Sequence, residues 1–388
     1  MKKLLLNILF LLLLCSLLLP YFQHKTNYFK QIPLKGAITN APNIGFTLKG
    51  WWDGTFQSAK TNYLNDNMGL RAQLVRLNNE MDFRLFNKVH ANDVVIGKDF
   101  YLYEKKYIDK YCAVNYTGDS TMRAQLIKLK MLQDTFAKRG KLLILLHAPS
   151  KARYFPDKIP ENLACNPQPI HSLYQDFKKI EDSLQVENID FMQFLLGMKD
   201  TAKHVLISKS GVHWTVYGSL LAWDSLSNYL SIRLQRPLAK RMVDKVITSG
   251  PRSTDIDIAD GLNMMSEPPK EDFTYQDFHF NTDTGKSKPN IIFIGDSFTW
   301  TLFYNYLPHN VCHNYEFWYY FREIWFRKNG VDGEGKIDNY DWLAALPNYD
   351  VVAILCTEPA LDNLGWNFVD LAFAHFYPEK VVKSYSKN

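Results

Sequence analysis

The chain of 388 residues lacks several features that would mark its class at once. It has no long basic block, and its formal net charge is only +5, so a nucleic-acid partner is not indicated. It has no Walker-type or dinucleotide-type glycine loop, which removes the commonest sequence signal for a nucleotide cofactor. Its five cysteines (Cys15, Cys112, Cys165, Cys312 and Cys356) do not have zinc-site spacing. His309 and His313 stand four apart, but Pro308 and Asn310 interrupt the spacing and no acidic third ligand is near. No metal and no other cofactor is expected. Hydrophobic residues at 46% and charged residues at 22% exclude a disordered, collagen-like or polytopic membrane chain. Internal repeats and low-complexity tracts are absent.

One long apolar run is present, Leu4 to Phe22, broken only by Asn7 and preceded by Lys2 and Lys3. As a helix it measures about 28 Å, close to the hydrocarbon thickness of a bilayer. Lysines before the run and none immediately after hold the N-terminus in the cytoplasm and place the remainder outside. A cleaved signal peptide is the alternative. No small-x-small cleavage site follows the run, which favours an uncleaved anchor. Outside the cytoplasm Cys112, Cys165, Cys312 and Cys356 allow three disulfide pairings, and Cys356, closing an apolar run, reads as a buried thiol.

Residues 23–59 read as a linker and lead-in. Leu74, Leu77, Met81 and Leu85 recur at helical spacing within Leu70 to Phe86. Asp93 to Tyr103 has strand composition interrupted by Gly97-Lys98-Asp99, a hairpin pattern. Helical and strand-like stretches then alternate. Met122 to Arg139 is helical with Gly140 as its cap, Ile170 to Gln185 and Trp214 to Leu234 are helical, and Ile189 to Phe191 is a short strand. "KLLILLH" ending at His147, "NIIFI" ending at Ile294 and "YDVVAIL" ending at Leu355 are continuously apolar, as in strands buried on both faces. The alternation predicts an α/β layered domain with a mostly parallel sheet. Residues 243–285, rich in Asp, Thr, Ser, Pro and Gly, read as an irregular insertion.

Functional groups collect at the carboxyl ends of strands in such a sheet. Gly295-Asp296-Ser297 follows one directly and precedes a helix. The glycine permits a tight turn, Ser297 is exposed at the sheet edge, and the first N–H groups of the helix suit an oxyanion. The same position also suits a plain helix N-cap. His213 lies on a loop ahead of another helix, placed to act as base for a serine. Lys151 and Tyr154 follow the strand end at His147, and Glu358 follows the one at Leu355. Trp214 adjoins the histidine. The chain is 14% aromatic, with a dense run of rings from Trp300 to Phe326. Most of these read as core, and some as a sugar-stacking wall.

Together "HWTVYG" at 213–218 and "GDSF" at 295–298 resemble the SGNH hydrolase-like domain of the alginate O-acetyltransferases of the AlgJ/AlgX type. "LNDNMGLRAQLVRLNN" at 64–79, "VVIGKDFYLY" at 94–103, "PSKARYFPDKIP" at 149–160 and "YDVVAILCTE" at 349–358 are similar to further segments of that family, in the same order. The resemblance implies a three-layer SGNH hydrolase-like domain over 60–380, circularly rearranged because the histidine block precedes the serine block. It implies Ser297 as nucleophile and His213 as base, with Gly295 and Asp296 supporting the turn and oxyanion site. Lys151, Tyr154, Trp214 and Glu358 become candidates for binding substrate or orienting the pair. The implied activity is O-acetylation of an exopolysaccharide at the cytoplasmic membrane, with a membrane-bound O-acyltransferase as acyl-donor partner. An esterase acting on carbohydrate would use the same residues.

The family motif has Asp-x-His-Trp, and this chain has Gly211 in place of the aspartate. The expected consequences are a Ser–His dyad oriented by a backbone carbonyl, a carboxylate supplied from elsewhere with Glu358 or Asp362 as candidates, or a weakened subunit that binds polysaccharide.

Overall fold

The computed structural model describes residues 2–36, 39–165, 172–281 and 285–380. The chain divides into two compact units, one comprising Met1–Asn92 with Ile258–Pro268 and the other Asp93–Asp257 with Pro269–Asn388.

In the first unit, the helix Lys2–Thr26 is long and apolar enough to cross a membrane. The helix Arg71–Phe86 forms as its periodicity predicts. Leu74, Leu77, Met81 and Leu85 nevertheless stay exposed. The spacing creates an apolar stripe, but covering it takes a second layer, and no described residue of this unit supplies one.

The second unit opens with the expected hairpin, β1 (Val94–Ile96) against β2 (Leu102–Glu104), antiparallel across the Lys98–Phe100 turn. Its core is a seven-stranded sheet. In chain order the strands are β3 (Leu142–His147), β4 (Asn188–Asp190), β7 (Ile291–Gly295), β8 (Tyr315–Tyr319), β9 (Glu323–Lys328), β10 (Val331–Lys336) and β11 (Val351–Cys356). The spatial order is β10-β9-β8-β7-β11-β3-β4. Neighbours from β8 to β4 are parallel, and β9 and β10 add an antiparallel edge. Every residue of β3, β7 and β11 is buried, which explains why these segments carry no alternation.

The helix Asp119–Ala137 packs on β3 and on the helices Leu173–Ser183 and Phe368–Phe376, while Val216–Arg233 packs on Ser297–Tyr304. The helix read from Ile170 begins at Leu173, and Ile170 and His171 lie outside the described residues.

The register aligns the three strand ends. Gly295 pairs with Leu355, and Cys356 with His147. Cys112 and Cys165 form a disulfide, while Cys312 and Cys356 are buried thiols.

Parts of the segment near 243–285, expected to be an irregular insertion, form regular structure. β5 (Arg241–Ser249) and β6 (Phe273–Phe280) form an antiparallel ribbon within it. Most of β5 is exposed, so its polar and charged residues imitate loop composition.

Candidate active site

Ser297 is the first residue of the helix Ser297–Tyr304, directly after β7. Asp296 caps that helix. Its Oδ1 accepts from the Phe298 N–H at 3.0 Å, and its Oδ2 accepts from the Thr357 hydroxyl at 2.8 Å and the Thr357 N–H at 3.3 Å. One buried carboxylate thus joins the ends of β7 and β11 at the serine. Burial pushes its pKa up, and the hydrogen bonds from Thr357 and Phe298 oppose that rise. A Cβ on Gly295 would sit 2.1 Å from Thr299 Oγ1, so the turn needs a glycine.

His213 approaches from the loop before the helix Val216–Arg233, which Thr215 caps through the Gly218 N–H at 3.0 Å. The His213 Nε2 stands 2.8 Å from Ser297 Oγ, and its ring lies 4.6 Å from the Phe298 ring. Trp214, fully buried, donates from Nε1 to Thr301 Oγ1 at 2.5 Å and so ties the histidine loop to the serine helix. Its place is structural and adjacent to the site.

The third group is Asp257. Its Oδ2 lies 2.5 Å from His213 Nδ1, and its Oδ1 accepts the Val212 N–H at 2.8 Å. It comes from the stretch read as irregular, 44 residues after the histidine. Asp255 fixes this loop by accepting from the Val216 N–H and the Arg252 N–H, each at 3.0 Å, and from the Tyr275 hydroxyl at 2.5 Å. The Ser208 hydroxyl donates to the Asp255 carbonyl at 2.5 Å and accepts the Gly211 N–H at 2.8 Å. Burial raises the Asp255 pKa, against the hydrogen bond from Tyr275.

Both carboxylates proposed from sequence are engaged elsewhere. Glu358 is buried and pairs with Arg153 at 2.5 Å, because Arg153 leaves the β3 end directly beside it. Asp362 pairs with Lys110 at 2.7 Å. Neither serves the His213 ring.

Gly211 now has a physical explanation. A Cβ there would meet the Asp255 carbonyl oxygen at 2.5 Å and the Thr254 carbonyl oxygen at 2.9 Å. An aspartate at 211 would displace the loop that supplies Asp257. Gly211→Ala is therefore expected to destabilise the fold by about 1–3 kcal/mol. It should also slow the phosphonylation of Ser297 Oγ by a small fluorophosphonate, with loss of fluoride, about 100-fold, the cost of shifting a reacting group by about an ångström. Denaturant unfolding and labelling kinetics check the two parts.

Lys151 and Tyr154 are buried, with no access to a ligand. Tyr154 packs against Phe155, and its carbonyl accepts from Lys199. The Lys151 Nζ donates to the carbonyls of Lys209 at 2.5 Å and Gly211 at 2.8 Å, clamping the loop that ends at His213. Burial pulls its pKa down to about 7, against the opposing charges of Glu271 and Asp257. Unfolded, a lysine titrates near 10.5. Between these values the unfolded chain holds more protons, so stability rises with pH over this window. Lys151→Met should remove about 2 kcal/mol of that rise between pH 7 and pH 9, read from unfolding midpoints of both proteins at the two pH values.

A mostly parallel α/β sheet carries here a strand-end serine hydrogen-bonded to histidine and, through it, to aspartate. That defines the class of serine-hydrolase-like α/β proteins. A family model described as the SGNH hydrolase-like domain of the acetyltransferase AlgX matches residues 94–311, more than half of the chain, and the chain belongs to this family. It is similar to the probable alginate O-acetylase AlgJ of Pseudomonas syringae pv. tomato, 27% identical over 213 residues, 54% of this chain and 50% of that protein. The corresponding protein of Pseudomonas putida is 26% identical over 152 residues, 39% of this chain and 37% of that protein. The chain thus matches half or less of the length of these curated relatives. Among solved structures, the O-acetyltransferase domain of Pseudomonas putida AlgJ aligns with a TM-score of 0.46 and 18% identity, covering 70% of this chain and 92% of that one.

Proposed function

We propose that this protein is an extracytoplasmic O-acyltransferase that acetylates an exopolysaccharide through an acyl-enzyme on Ser297. The observation that carries the reading is the unbroken hydrogen-bonded series Ser297–His213–Asp257 at the carboxyl edge of the sheet. The names of the AlgJ relatives, alginate O-acetylases, support acetyl as the group and an alginate-like polymer as acceptor.

In the first half-reaction Ser297 Oγ attacks the carbonyl carbon of an acetyl ester or thioester, and His213 Nε2 takes the hydroxyl proton. The Ser297 N–H at the helix start faces the developing oxyanion. Asp257 stabilises the imidazolium. Collapse breaks the bond to the donor's alcohol or thiol, which leaves with the proton from Nε2. In the second half a sugar hydroxyl attacks the acetyl carbon and gives its proton to Nε2. The carbon–Oγ bond then breaks, Oγ recovers the proton, and the acetylated sugar departs.

The presence of Asp257 supports a working enzyme over an inert binding subunit, because it restores the carboxylate missing at position 211. The apolar helix Lys2–Thr26 fits a single-pass anchor in the cytoplasmic membrane, with the domain on its outer side. A membrane-embedded acyltransferase would deliver the donor. Full-length protein given a chromogenic acetyl ester, with and without oligomannuronate, tests the reading. Acetyl recovered on the sugar is the expected result. Hydrolysis unaffected by sugar would make the protein an esterase.

A further inference from the structure

Two turns beside the nucleophile hold bulky residues in left-handed backbone. Between β8 and β9, Tyr320 and Phe321 have φ of 49° and 51°, and the Arg322 N–H donates to the Tyr319 carbonyl at 3.0 Å. Such a tight hairpin turn ordinarily uses Asn-Gly at these positions. In the loop after β11, Gly365, Trp366 and Asn367 have φ of 64°, 52° and 76°. A large side chain at positive φ is disfavoured and persists only where the surroundings impose it.

Packing accounts for Phe321, which is buried against Trp318, Trp342 and Phe368. It accounts less well for Tyr320, which packs on Tyr319 at 4.4 Å, and for Trp366, since neither is fully buried. These two meet each other, 5.1 Å apart with planes at 81°. The Tyr320 N–H donates to the Gly295 carbonyl at 2.9 Å, which fixes the turn two residues before the serine. Tyr320 thus stands at the turn that carries Ser297. The strained backbone therefore sets two aromatic rings at right angles beside the turn that carries the nucleophile.

We propose that Tyr320 and Trp366 form the acceptor subsite, a corner that seats one pyranose ring of the polymer with a hydroxyl directed at the acetylated Ser297. The inference rests on the acyl-transfer reading above. A pyranose has an apolar C–H face and a polar rim, which matches a ring face beside a phenolic hydroxyl. A sugar seated there also displaces water from the acyl-enzyme, the competing acceptor.

The test is the ratio of acetyl transferred to sugar over acetyl released to water. It uses full-length protein, p-nitrophenyl acetate as donor, and oligomannuronate or cello-oligosaccharide as acceptor. Trp366→Leu and Tyr320→Leu are each expected to lower the ratio about tenfold or more, while Trp366→Tyr stays within about threefold of the parent. Phosphonate labelling of Ser297 reports folding of each variant, and the two residues lie on separate turns, so a variant that fails to fold in one loop leaves the other to decide. Leucine variants with an unchanged ratio overturn the subsite. Equal losses in transfer and hydrolysis also leave the ratio unchanged, and assign the rings to the donor instead. If Ser297→Ala still transfers acetyl to sugar, the underlying acyl-enzyme reading fails, and the subsite with it.

Discussion

Asp257→Asn is expected to lower the rate of acetyl transfer about 10⁴-fold, as loss of the carboxylate does in other serine–histidine–aspartate sites. Asp257 Oδ2 accepts from His213 Nδ1, which leaves Nε2 as the acceptor facing Ser297. An asparagine amide pointing its NH2 at Nδ1 favours the opposite tautomer, with Nε2 protonated and unable to take the serine proton. The imidazolium formed in the transition state also loses its negative partner. The substitution is nearly isosteric, and an amide oxygen can still accept the Val212 N–H, so the fold should survive. Transfer kinetics with an unfolding curve on the same preparation separate the two effects. A loss smaller than tenfold would mean that Asp257 does not orient the histidine.

Ser297→Ala is expected to cost more, about 10⁶-fold, and His213→Ala in the same chain should add almost nothing. Nucleophile and base act on one proton and one bond, so removing either abolishes the covalent route and what remains does not use the other. The result to measure is the transfer rate of both single variants and the double variant. Two independent losses that multiply would contradict a shared acyl-enzyme mechanism. Ser297 Oγ bonds to His213, and the helix cap comes from Asp296. Little stability depends on the hydroxyl, and the effect should fall on rate.

The central strands and two of the three relay residues are legible in the sequence for physical reasons. β3, β7 and β11 are buried along their whole length, and only unbroken apolar runs satisfy that environment. Ser297 announces itself by following one such run through a glycine, and His213 by preceding a capped helix. Asp257 gives no such signal. It sits in a polar stretch 44 residues from its partner, and only the fold brings that loop across Gly211. β5 is missed for a related reason, since most of it is exposed and it has no apolar face to pattern, while β6 buries only its first three residues. Lys151 looks like a ligand-binding lysine in sequence, whereas its Nζ is consumed by two backbone carbonyls. The corner formed by Tyr320 and Trp366 is the least legible, because its left-handed turns carry aromatic residues where glycine or asparagine would mark them.

The most direct measurement of the central claim follows the acetyl group itself. Full-length protein is mixed with an isotopically labelled acetyl donor, quenched, digested and examined by mass spectrometry, then chased with oligomannuronate before quenching. Label is expected on the peptide containing Ser297, followed by its passage to the sugar during the chase. Labelled sugar formed with no labelled Ser297 at any time, and at an undiminished rate in Ser297→Ala, would contradict that claim.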